Sequence, residues 1–151
     1  MAATAWAFYH EAKHKLCVGD TSGFNLSADI FRLALYKTAA TAPADLLTLS
    51  VQSEISAECT GGAYTAGGKT LSNSTWTTTA TSVQKFDGDD WVITASGSAI
   101  TSVLFAALCN SITATSGFLL CFSQLSTAAF DVSSGNTLTV QMNTAGIFTL
   151  A

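Results

Sequence analysis

Hydrophobic and polar positions along this chain alternate more often than they recur with helical spacing. The sharpest case lies between Phe31 and Lys37, where Phe31, Leu33 and Leu35 alternate with Arg32, Ala34 and Tyr36. A period of two puts one set on each face of a strand. Residues 24–38 are therefore predicted to form a strand. A helix is the competing assignment, because Leu, Ala and Lys are good helix formers. From residue 71 onward the chain is rich in Thr, Val, Ile, Phe and Trp, with no sustained helical pattern. Candidate strands there span residues 71–79, 82–86, 91–95, 100–108, 117–125, 137–142 and 147–150. Between them stand Asp87-Gly88-Asp89-Asp90, Ser96-Gly97-Ser98, Ser116-Gly117, Ser133-Ser-Gly-Asn136 and Asn143-Thr-Ala-Gly146. These are turn sequences: Gly supplies positive φ, and Asn, Asp and Ser hydrogen-bond to nearby backbone. Short strands separated by such turns predict an all-β fold, a single-domain β-sandwich or barrel-like antiparallel architecture.

Two stretches depart from this pattern. Pro43 makes residues 38–44 a break, and residues 44–57 are the best place for one of at most two short helices. Leu46, Leu47 and Val51 fall near helical spacing there, and Glu54 and Glu58 lie four apart. Residues 1–20 hold the one cluster of aromatics, His and Lys, which divides the chain into an N-terminal arm, 1–20, and a β domain, 21–151. Trp6, Phe8 and His10 share one face if the arm is extended. Fully burying one large aromatic is worth roughly 1.5–3 kcal/mol. Trp6, Phe8, Tyr9, His10 and Lys13 are accordingly expected to form an interface with a neighbouring subunit. The alternative is that the arm is the first strand of the chain's own sandwich.

Charge sharpens the picture. The chain has six Lys or Arg and ten Asp or Glu among 151 residues, 11% charged, with a net charge of −4. An ordinary soluble domain carries about 25%. Mean hydropathy is +0.38, yet Ser, Thr, Gly or Asn interrupts every apolar run, so no membrane span is expected. The scattered cations argue against nucleic-acid binding, which needs clustered positive charge. The opening residues lack the basic and apolar regions of a signal peptide, so folding in a cytoplasm is expected. A surface so poor in charge is covered by hydroxyls and small residues or hidden against other copies, which suggests a subunit of an assembly. Cys17, Cys59, Cys109 and Cys121 are far apart and form no C-x-x-C pair. Four free thiols are expected, with Cys109 and Cys121 buried among apolar neighbours.

No catalytic constellation emerges, and no cofactor or metal is implied. Asp87-Gly88-Asp89-Asp90 lacks the alternating ligands and terminal Glu of an EF-hand and reads as a hairpin turn. His10 and His14 would share a helix face, but no acidic third ligand stands at a recognised spacing. There is no G-x-S-x-G elbow. Glu54 and Glu58 read as helix surface charges rather than a glycosidase pair. Gly61-Gly62 and Gly67-Gly68 bracket Tyr64 in a flexible loop and lack the context of a phosphate loop, although Lys69-Thr70 follows the second pair.

Several stretches together resemble small structural proteins of tailed bacteriophages. They are Ala5-Trp6-Ala-Phe-Tyr9 with Lys13 and Lys15, Leu26-Ser-Ala-Asp-Ile-Phe31-Arg-Leu-Ala-Leu-Tyr36, and Gly61-Gly-Ala-Tyr64-Thr-Ala-Gly67-Gly-Lys-Thr-Leu71. Residues 87–95 follow, then Gly135-Asn-Thr-Leu-Thr-Val140 through Gly146-Ile-Phe-Thr-Leu150. The resemblance implies a non-enzymatic virion protein, assembled in the host cytoplasm, that decorates or cements the capsid. Its partners would be the major capsid protein and other copies of itself in a trimer or small cyclic oligomer. A tail or head–tail connector subunit is the alternative. A glycan- or host-surface-binding module using Trp6, Trp76 or Trp91 is the second alternative.

Overall fold

The alternation at Phe31–Lys37 becomes a strand with both faces covered. The computed structural model describes residues 3–18, 24–37, 46–79, 83–110 and 117–150. Its elements are β1 (Ala7–Phe8), α1 (His10–Val18), β2 (Phe31–Lys37), β3 (Lys69–Thr70), β4 (Thr75–Thr78), β5 (Gln84–Asp87) and β6 (Trp91–Thr94). They continue with β7 (Ile100–Asn110), β8 (Leu119–Gln124), β9 (Phe130–Val132), β10 (Thr137–Val140) and β11 (Phe148–Leu150). A 3-10 turn spans Gln52–Glu54. Every strand pairing is antiparallel, and the fold is all-β.

The largest sheet runs β1-β8-β7-β2-β3, with β9 also paired to β7. β2 occupies one edge of β7 from Val103 to Asn110. β9, opposite Val103 and Ile100, must therefore use the other edge, which β8 follows from Phe105 to Cys109. β8 and β9 are in effect one strand, interrupted by an excursion at residues 125–129. Two smaller sheets complete the fold, β10-β6 and β11-β5-β4.

Residues directly opposite in a ladder share a face. Phe31, Leu33 and Leu35 thus join Ala106, Leu108, Cys121 and Phe8 on one face. The β11-β5-β4 sheet packs there, with Phe31 against Phe86 at 4.9 Å and Phe8 against Phe148 at 4.5 Å between ring centroids. Ala34, Tyr36, Phe105, Ala107 and Phe122 share the opposite face. Tyr36 stacks on Phe105 at 5.3 Å, and Tyr9 covers Phe122 at 5.2 Å. This face lies beneath α1 and the segment 46–59. The His10 N–H donates to Leu47 O (2.8 Å) and the Gln52 N–H to Gly117 O (2.9 Å). The Lys37 N–H donates to Ala57 O (3.0 Å) and the Cys59 N–H to Leu35 O (2.8 Å), so residues 57–59 run beside the upper half of β2. Buried side chains from Tyr9 to Phe148 form one hydrophobic cluster.

The helix described in full lies outside the stretch that the apolar spacing suggested. In the stretch 44–57, Leu46 is helical, residues 44–45 lie outside the described residues, and residues 47–57 hold a turn and the 3-10 turn, because their backbone is drawn into bridges, Val51 to Phe118 and, just beyond, Glu58 to Tyr36. The α-helix lies instead at His10–Val18, inside the segment read as an extended arm. Glu11 stands in its first turn and Lys15 in its last, as the helix dipole favours, and the two pair at 3.7 Å. The candidate strand at residues 24–38 contracts to β2, because Asn25 and Asp29 close a turn before it, with the Asn25 N–H donating to Asp29 Oδ2 at 2.9 Å. The expected loop at residues 19–23 and the break at Pro43 lie outside the described residues.

The first residues close the edge of the chain's own sheet. Ala7 and Phe8 pair with Phe122 and Cys121, and Tyr9 is fully buried. Tyr9→Ala is therefore expected to lower stability by about 3–5 kcal/mol, the usual cost of removing a buried aromatic ring. Urea denaturation followed by tryptophan fluorescence measures it. A loss below about 1 kcal/mol would remove this segment from the core.

Candidate functional site

The residues singled out at the N-terminus fall into two groups. Tyr9 lies inside the core, and Phe8 packs edge-on against Phe148. His10 and Lys13 are exposed on α1, while Trp6 is half-buried at the sheet edge. The five do not form one surface. Two of them support the fold from within, and three face outward.

Trp6 instead belongs to a larger feature. An open groove of about 820 Å³ runs between residues 3–6 and β10, and the excursion after β8 supplies part of its wall. Trp6, Leu125, Phe130, Leu138 and Met142 are its half-buried apolar lining, and Gln141 and Asn143 are exposed amides beside them. No lining residue is titratable. The segments that wall the groove are anchored at their ends. The Thr4 N–H donates to Gln124 O at 2.9 Å, and the Ser123 hydroxyl donates to Thr4 O at 2.7 Å. On the other side the Met142 N–H donates to Asp90 Oδ1 at 2.8 Å. The sequence pattern had assigned only Trp6 to a surface role. The other lining residues sit in strands and loops far apart in sequence, and nothing local marked them.

The carboxylates once considered for chemistry are each engaged in holding structure. Asp87 meets Lys85 at 2.8 Å, Asp89 accepts from Asn73 Nδ2 at 2.7 Å, and Asp90 holds Met142 as above. The three point to different partners. Asp87-Gly88-Asp89-Asp90 is not a hairpin turn either: β5 and β6 belong to different sheets, and the motif is the crossing between them. Glu54 is not a helix surface charge. Its Oε2 accepts from the backbone of Ser50 (2.6 Å) and Val51 (3.1 Å), capping the 3-10 turn.

Glu58 anchors the glycine-flanked loop. Its Oε1 accepts from the Tyr64 hydroxyl at 2.6 Å and from the Gly67 N–H at 2.8 Å, while the Tyr64 oxygen accepts from the Leu35 N–H at 2.9 Å. Burial, and then the Glu58 carboxylate, push the Tyr64 phenol far above its usual pKa. The arrangement ties the loop to the middle of β2 in place of the flexibility that four glycines suggested. At Gly68 φ is +74°, and a Cβ would collide with Leu33 O, so a side chain there would part β3 from β2. Among the described residues no three His, Cys, Asp or Glu gather as a metal site would require.

The four cysteines are free. Cys121 stands opposite Leu108, whereas Cys109 is the next residue along β7, so ladder alternation turns the two thiols to opposite faces. Cys109 Sγ donates to Gln52 Oε1 at 3.3 Å. Burial pushes the Cys59 and Cys109 thiols up to about 12, and pushes Cys121 up as well. The thiolate is the reactive form, so at pH 8 these three are expected to be inert. Cys17 is exposed. An aromatic-disulfide reagent should titrate one thiol in the native protein and all four after denaturation. Fewer than four after denaturation would reveal a disulfide.

No protein family, curated protein or solved structure matches this chain.

Proposed function

We propose that this protein is a non-enzymatic structural protein of a bacteriophage virion, which binds and stabilises the capsid as a decoration or cement subunit. The observation that carries this reading is the groove between residues 3–6 and β10. Its lining joins a Trp, a Phe, two Leu and a Met to amides and hydroxyls, with no titratable side chain among the described residues. Aromatic residues and Met are enriched at protein interfaces, and charge is depleted at their centres. Such a surface is made for docking. The scarcity of charge in the whole chain, 11%, agrees with a protein whose surface is partly covered in use. The resemblance of its segments to tailed-phage structural proteins supplies the partner, the major capsid protein. Other copies of this chain in a trimer or small ring would multiply weak contacts across the lattice. A ligand that binds only the assembled shell stabilises that shell.

A second reading uses the same groove. Trp6 beside Gln141 and Asn143 offers a stacking face next to amides, as glycan-binding sites do. Trp91 does not share that role: it is buried, and its indole N–H donates to Lys69 O at 3.1 Å.

Capsids with and without the protein should differ in survival on heating, and the protein should be seen on the outer shell. Trp6→Ala should leave the fold intact and weaken capsid binding by about thirtyfold, corresponding to the roughly 2 kcal/mol of an interface hot spot. Equal survival, with the protein absent from the outer shell, would discard the capsid reading and favour a connector. Binding on a glycan array, lost in Trp6→Ala, would favour the second reading.

A further inference from the structure

Two of the chain's six cations, Arg32 and Lys69, open onto one hollow without meeting a carboxylate among the described residues. The hollow holds about 620 Å³ and lies across the short edge strand β3, between the loop at residues 63–65 and β6. That is within the usual range for small-ligand sites, about 300–1,000 Å³. The cations rest on backbone carbonyls. Arg32 Nη2 donates to Gly68 O at 2.6 Å, and Lys69 Nζ donates to Val92 O at 2.9 Å. Each keeps further N–H donors, because an ammonium has three and a guanidinium five. No acidic residue lines the hollow, although the chain carries more acids than bases. Glu58, the acid that ties down the adjoining loop, already accepts from Tyr64 and Gly67.

A second observation points the same way. Arg32 is half-buried, and its Nε is a buried donor with no partner among the described residues. A partly desolvated cation without a counter-charge is costly. A neutral side chain would fill this place on β2 more cheaply unless an anion neutralises it. The register puts Thr70 opposite Arg32 on one face and Lys69 opposite Leu33 on the other, so Lys69 comes to the hollow around the edge strand β3, and Thr65 and Thr94 also line it. The set is thus a guanidinium, an ammonium and the Thr65 and Thr70 hydroxyls, all able to donate to oxygen, while the Thr94 hydroxyl is already paired with that of Thr137 at 2.8 Å.

We propose that this hollow binds an oxyanion, a phosphate or carboxylate group, held by Arg32 and Lys69 with the Thr65 and Thr70 hydroxyls. Arg offers a planar fork that matches both anions, and Lys adds a point charge. The hollow is larger than a lone anion requires, so its ligand carries the charged group on a small polar body.

The test is amide chemical-shift titration of the full chain with inorganic phosphate and, separately, with acetate, at constant ionic strength set by chloride. Saturable shifts are expected at Thr65, Thr70 and Thr94. Saturation by phosphate alone assigns a phosphate ligand, and saturation by acetate assigns a carboxylate. Lys69→Met removes an exposed charge and should weaken binding about tenfold. Lys13→Met, on the distant α1, should leave binding unchanged. Arg32→Lys keeps the charge, loses the fork, and should also weaken binding while retaining the fold. Absence of saturable shifts with both anions would overturn the proposal. So would equal weakening by Lys13→Met and Lys69→Met, the mark of diffuse charge attraction.

Discussion

The structure depends on the ladder between β2 and β7. Most strands in an antiparallel sheet bury one face and wet the other. These two bury both over much of their length: Phe31, Leu33, Ala34, Leu35 and Tyr36 on β2, and Val103 and residues 105–109 on β7. A strand of that kind cannot sit in a simple two-layer sandwich. It forces cover on each side, and the chain supplies two different covers. One is a small sheet that brings Phe86 and Phe148. The other is irregular, built from α1, the 3-10 turn and the bridged segment up to Cys59. The second cover is where polar accounting is tightest. The Tyr9 hydroxyl lies beneath it without a hydrogen-bond partner among the described residues, the Tyr36 hydroxyl has only Gln52 near it, in poor hydrogen-bond geometry, and burial holds both phenols far above their usual pKa.

Poverty of charge shapes the loops as much as the surface. With few side chains available for ion pairs, carboxylates serve as backbone caps: Glu54 on the 3-10 turn, Glu58 on Gly67, Asp131 on the Ser102 N–H at 2.7 Å. The last holds Ser102 at φ +60°, the irregular point where β7 passes from its pairing with β8 and β2 to its pairing with β9. Cations do the converse at Arg32 and Lys69, resting on carbonyls. The groove beside Trp6 and the hollow beside Arg32 are therefore opposite in character, one without charge and one with unneutralised positive charge.

Much of the fold was legible because it is written in local alternation. Phe31 to Lys37 announced β2, and Thr, Val and Phe runs with Gly and Asp punctuation announced β4 to β8, β10 and β11. Three kinds of feature were not legible. β9 is three residues long, too short for a period to show, and exists because β7 extends beyond β8. α1 follows directly on a two-residue strand, so Trp6, Phe8 and His10 looked like one alternating arm although the backbone turns helical at His10. Residues 47–57 continue the helical spacing but are claimed by bridges to distant strands, a tertiary decision. The groove was hidden for a similar reason: its walls are separated by more than a hundred residues of sequence, and only Trp6 stood out by its chemistry.

The pairing of the first strand sets a clock on biosynthesis. The Ser123 hydroxyl meets Thr4 O across 119 residues of sequence, and Ala7 waits for Phe122. At ribosomal rates of about 5–20 residues per second, the first strand emerges roughly ten seconds before its mate. For that interval Phe8 and Tyr9 have no sheet to join, and the central β2–β7 ladder is itself incomplete until residue 110 has appeared. This sheet cannot close before residue 122 has appeared, so Phe8 and Tyr9 wait for cover long after they are made.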